Sequence, residues 1–102
     1  MVFYDFEVLK YYWCVVCTDS KDGETSVIET KDDLDTYFRK NFNDIWIGYN
    51  NKHYDQFILK GILLDYDPWE LNDKLIRQGI SGWQLLKYDK NVNFINLSLI
   101  HI

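Results

Sequence analysis

The chain is poor in the features that most quickly betray a function. Cysteine occurs twice in 102 residues, as Cys14 and Cys17. That spacing invites a redox or zinc reading, but the pair lies in "YYWCVVCTD", a run of strand formers, where residues three apart point to opposite faces. They are read as two small buried hydrophobes. No apolar run is long enough to span a membrane and no secretory signal is present, so the expected setting is reducing and cytoplasmic, with no membrane partner. Internal repeats and low-complexity linkers are also missing. Basic residues are outnumbered, eleven Lys and Arg against sixteen Asp and Glu, for a net charge of −5. A protein that grips duplex DNA by broad phosphate neutralisation needs the reverse balance. An acidic enzyme of nucleic acids is still allowed, because carboxylates gathered around metal ions let the ions supply the positive charge.

Apolar and aromatic residues are abundant. Hydrophobic residues make up 47% and aromatics 18%, which excludes disorder and provides for one packed domain. From Val2 to Leu9 the pattern alternates: Val2, Tyr4, Phe6 and Val8 share one face, and Phe3, Asp5, Glu7 and Leu9 the other. Tyr11 to Thr18 reads as an interior strand, apolar on both faces. "SKDGE" supplies a turn around Gly23, and Thr25 to Glu29 a third, more polar strand, completing an antiparallel meander.

Thr30 with Asp33 predicts a helix start, and Leu34, Tyr37, Phe38 and Phe42 recur at helical spacing over residues 31–41. The short strand Asp44 to Tyr49 follows, laid parallel to its partner by the helical crossover. Tyr54, Phe57, Ile58, Gly61 and Ile62 then fall on one helical face. Asp67, Pro68 and Glu70 start another helix that Gly79 ends, and a last strand is expected over residues 93–98. The resulting order, β-β-β-α-β-α-α-β, is that of an α/β protein with a mixed sheet and flanking helices.

Asp5 and Glu7 lie on one face of the first strand, roughly 6.6 Å apart at Cα, so both can reach one hard cation. Such a pair is weak on its own. If the first and fourth strands are parallel neighbours, the helix after Tyr49 begins at the carboxyl end of both, where open α/β sheets place their sites. Asp55 would then face Asp5 and Glu7, and three carboxylates in one crevice call for Mg²⁺ or Mn²⁺. The bland alternative makes these acids solvated or paired, and makes Asn50 and Asp55 turn and cap residues.

"VFYDFE" resembles the first exonuclease motif, and "YNNKHYD" the second, of the DEDD 3′-to-5′ exonucleases, which have a ribonuclease H-like fold. The wider stretch "DIWIGYNNKHYDQFILKGIL" is similar to the N-terminal proofreading domains of phage-encoded, family B-like DNA polymerases, over most of residues 1–96. The resemblance implies a three-stranded antiparallel meander followed by parallel strands, cut short at the C-terminus. It implies two divalent ions, with Asp5 bridging both, Glu7 binding one, and Asp55 holding the second directly or through water. Asn50 would position the motif or the strand's end, Phe6 would lie beside the terminal nucleotide, and Tyr54 would pack beneath. The implied partners are a single-stranded 3′ end of DNA or RNA and a polymerase domain downstream in the same chain.

The family also uses a fourth acid with a Tyr or His four residues before it; neither His53 nor His101 is followed four residues later by an acid, and the chain is expected to end before that motif. The chain by itself is therefore expected to be inactive or nearly so. "LSLIHI", residues 97–102, resembles the translation of a transposon-end adapter used in sequencing libraries, and is read as a tail on a partial domain. A free-standing DEDD nuclease and a non-catalytic ribonuclease H-like binding module are the other readings.

Overall fold

The computed structural model describes residues 1–48, 54–86 and 99–101. Strands β1 (Val2–Leu9), β2 (Tyr12–Asp19) and β3 (Thr25–Ile28) form the meander, followed by helix α1 (Lys31–Lys40) and strand β4 (Trp46–Gly48). Helices α2 (Gln56–Leu63) and α3 (Pro68–Asn72) come next, and α3 runs into one π-helical turn over Asp73–Arg77. Helix α4 (Gly82–Leu86) and strand β5 (Leu99–His101) complete the described elements. The sheet order is β3-β2-β1-β4-β5, antiparallel within the meander and parallel from β1 to β4 and from β4 to β5.

The alternation of β1 is realised residue by residue, with Val2, Tyr4, Phe6 and Val8 buried and Asp5, Glu7 and Leu9 exposed. Val15, Cys17 and Ile28 join them from β2 and β3, and Leu34 and Phe38 from α1. Trp46 is the hub. Its indole lies 5.6 Å from the Tyr4 ring, 5.8 Å from Tyr37 and 5.1 Å from Phe38, and its Nε1 donates to the carbonyl of Asn41 at 3.1 Å. Burying such a ring contributes about 2 to 3 kcal/mol, so this contact fixes α1 against the sheet.

Local signals do what their chemistry allows. Thr30 Oγ1 accepts from the Asp33 amide at 3.2 Å, Asp67 caps Trp69 at 2.9 Å, and Gly79 takes φ +65 just past the π turn. β4 begins at Trp46, two residues later than the predicted start at Asp44. Asp44 stands outside it, 3.1 Å from the Met1 ammonium and 3.4 Å from Lys21, while accepting from the Ile45 amide at 2.9 Å. The ammonium and that amide hold its carboxyl below the usual range. The strand expected over 93–98 lies outside the described residues; the described β5 covers Leu99–His101. No helix among the described residues is long and apolar enough to cross a membrane.

α2 departs from its predicted single apolar face, because Gln56 through Ile62 are all buried. α3 covers it from one side and α4, which the pattern of the sequence does not announce, from another. Both approaches need a missing side chain: a Cβ on Gly61 would stand 2.0 Å from Leu71 Cδ1, and one on Gly82 2.2 Å from the Phe57 ring. Lys60 is caught between the layers, 1% exposed. Its Nζ donates to Gln56 Oε1 at 2.8 Å and lies 5.1 Å from the centre of Phe57 and 4.7 Å from that of Trp83. Burial pulls the ammonium down from 10.5 to about 8.

Replacing Gly82 with alanine is expected to lower stability by about 1 to 2 kcal/mol, overpacking outweighing better helix propensity. Urea midpoints measure this, and trimming Phe57 to leucine in the same chain should restore much of the loss. Lys60 gives a pH signature. Between pH 8 and 9.5 the unfolded lysine keeps its proton while the folded one releases it, so stability rises with pH, by about 1.5 kcal/mol across that window. Lys60→Met should flatten this rise. An unchanged slope in the variant would assign it to other groups.

Candidate functional site

The site is built on the pairing of β1 with β4. Among the described residues the register runs Val2 with Trp46, Phe3 with Ile47 and Tyr4 with Gly48. Asp5 is the next residue of β1 after Tyr4. Asp5 and Glu7 are both exposed, on the face opposite the core. From Gly48 the chain passes residues 49–53, where Asn50 and His53 fall outside the described residues, and enters α2 through Tyr54 and Asp55.

Asp55 is fully buried. It stands at the N-terminal boundary of α2 with helical backbone angles, φ −53 and ψ −42, and its side chain makes no capping hydrogen bond. An aspartate that caps a helix adopts extended angles and accepts from an amide one turn on, as Thr30 does. Capping therefore does not account for Asp55. The carboxylate is held inside the domain, where desolvation is costly unless neighbours offset it.

Two tyrosines register where this charge lies. The Tyr54 hydroxyl donates to Asn72 Oδ1 on α3, and its pKa is pushed up to about 12, by burial first and then by the carboxylates of Asp55 and Asp5. Tyr54 thus sits within electrostatic reach of acids from both elements. Tyr4 is raised further, by burial and then by Asp55. Its hydroxyl is buried and has no hydrogen-bond partner among the described residues. It lies over Gly48, where a Cβ would come within 3.1 Å of the oxygen.

Asp5 and Glu7 are together on one exposed face, and Asp55 is buried within the domain. They are not closed into a ligand cage: among the described residues no three His, Cys, Asp or Glu side chains are gathered closely enough to hold a metal ion. Phe6 turns into the core, 7% exposed and 6.0 Å from the Tyr4 ring, so only its backbone is left on the side of the acids. Tyr54 packs against the core cluster as a half-buried support. Of the tryptophans, Trp46 is core, Trp13 and Trp69 are half-buried, and Trp83 is 52% exposed. Cys17 is buried and Cys14 half-buried on the other face, both free thiols.

Sequence reasoning missed Asn72 and the part played by Tyr4. Asn72 has no signal because it is simply the last residue of α3. Tyr4 was visible as a core residue, but its orphan hydroxyl is a product of packing. Compared with protein-family models, curated proteins and solved structures, the chain matches none of them.

The two tyrosines should respond oppositely to loss of the hydroxyl. Tyr54→Phe removes a bond and strands Asn72, costing about 1 kcal/mol, whereas Tyr4→Phe removes an unpaired buried group and should be neutral or stabilising by up to about 1 kcal/mol. Thermal melts of the two variants beside the parent chain test the contrast, and a large loss in Tyr4→Phe would reveal a partner for that oxygen.

Proposed function

We propose that Asp5, Glu7 and Asp55 are three of the acids of a two-metal 3′-to-5′ exonuclease centre in a ribonuclease H-like domain, of the kind that proofreads for phage-type DNA polymerases. One observation carries the reading: a fully buried carboxylate, Asp55, at the start of the helix that follows the strand parallel to the one bearing Asp5 and Glu7. The sheet order supports the fold half, since a central β1 with an antiparallel neighbour on one side and a parallel one on the other is what that fold requires.

The donor set fits Mg²⁺ or Mn²⁺, because all three groups offer hard carboxylate oxygens and a buried Asp55 is stabilised by a nearby cation. When bound, two such ions lower the pKa of a water and neutralise charge on the attacking and leaving oxygens of a terminal phosphodiester. The chain's own residues do the positioning. Asp5 and Glu7, fixed by the β1–β2 ladder, present both carboxylates from one rigid face. Tyr54, tied to Asn72, supports Asp55 from below, and the backbone of Phe6 lies between the two strand acids. Asn50 is assigned to the strand's end. The substrate is the single-stranded 3′ end of DNA or RNA, and full activity needs a fourth acid beside these three.

Mn²⁺ added to the isotopically labelled chain should broaden the amide signals of residues 5–7 and 54–56 before any others. Asp5→Asn and Glu7→Gln should each weaken that effect at least about tenfold. In a chain that carries the fourth acid, Mg²⁺-dependent removal of 3′ nucleotides should vanish with Asp5→Ala or Asp55→Ala while the fold persists. Undiminished digestion by both variants refutes the assignment.

A further inference from the structure

The far side of the sheet carries a different feature. Among the described residues β3 ends the strand order and is paired only with β2. Its residues Thr25, Ser26, Val27 and Ile28 include no charge and no proline, the devices that usually blunt an exposed edge. Val27 is 60% exposed. Between this edge and α1 runs a groove of about 350 Å³, lined by Ser26, Val27, Ile28, Thr36 and Tyr37, with Asp33 and Lys40. It shares Ser26, Tyr37 and Lys40 with a second hollow of about 150 Å³ that Asp19, Asp22, Glu24 and Asn41 complete.

The combined groove has a one-sided charge. Asp19, Asp22, Glu24 and Asp33 face a single ammonium, Lys40, and none of the four carboxylates is in an ion pair among the described residues. The side-chain oxygens of Asp19 and Asp22 accept only turn amides, at 2.9 Å each.

We infer that β3 is a docking edge for an extended basic peptide, which joins the sheet beside β3 and lays lysine or arginine side chains against these carboxylates. Strand addition of this kind draws affinity from main-chain hydrogen bonds and specificity from alternate side chains. Charge selects the occupant. A second copy of this chain paired edge to edge would bring the same acids against each other, whereas a basic strand neutralises them.

The test uses a fluorescein-labelled, end-blocked octapeptide of alternating lysine and valine, followed by anisotropy. Binding should raise amide-exchange protection at residues 25–28. Methylating alternate backbone nitrogens on the ladder-forming edge should weaken it at least about tenfold, since it removes the main-chain bonds but not the charge. Glu24→Lys combined with Asp33→Asn, both at exposed positions, should weaken it at least about fivefold. Equal binding of a glutamate–valine peptide, insensitivity to methylation of either edge, protection appearing elsewhere, absence of binding, or self-association of the chain through residues 25–28 would each overturn the inference.

Discussion

The parallel pairing of Val2–Tyr4 with Trp46–Gly48 is the contact around which most of the molecule is arranged. Just before β4, Asp44 is held by the Met1 ammonium, Lys21 and the Ile45 amide. Trp46 stands at the start of that strand and ties α1 to the sheet through Tyr4, Tyr37 and Phe38. Gly48 stands at its end and leaves room for the Tyr4 ring. Beyond Tyr4, β1 continues through Asp5, Phe6 and Glu7.

That geometry gives the acids unequal surroundings. Asp5 and Glu7 project to the exposed face, where hydration stabilises their charge, while Asp55 is enclosed at the entrance to α2. Tyr54 stands between the two environments and responds to both carboxylates. Enclosing an ionised carboxylate is costly unless specific neighbours offset the lost hydration. The helices add a second buried charge, Lys60, which is held differently. Two aromatic faces and one amide replace part of its hydration, and its proton becomes easier to lose. The two charges illustrate how a domain of this size tolerates polar groups inside, by supplying each with a specific neighbour.

Much of this was legible in the residues themselves. The alternation of β1, the turn at Gly23, the cap at Thr30, the proline at Pro68 and the stop at Gly79 all act within a few residues, so local pattern suffices to place them. The interior position of β2 followed from its two apolar faces. α4 was hidden because its five residues are too few for periodicity, and the full burial of α2 because what covers a helix is contributed from elsewhere. The strand expected over 93–98 falls outside the described residues, and the short β5 beyond it offers three residues of pattern.

For the candidate site the division is similar. The sequence by itself determined which residue types are available: two acids two apart on a strand, and a third at a strand-to-helix junction. It also determined the order of elements that makes a parallel neighbour for β1 possible, because a helical crossover leaves few other arrangements. Tertiary structure alone decided that Asp55 is enclosed and does no capping, that Phe6 faces inward, and that Tyr54 is tied to Asn72, eighteen residues away. It also decided that β3 is an edge with an acidic groove beside it. Burial and electrostatic surroundings are set by residues distant in the chain, and no local pattern encodes them.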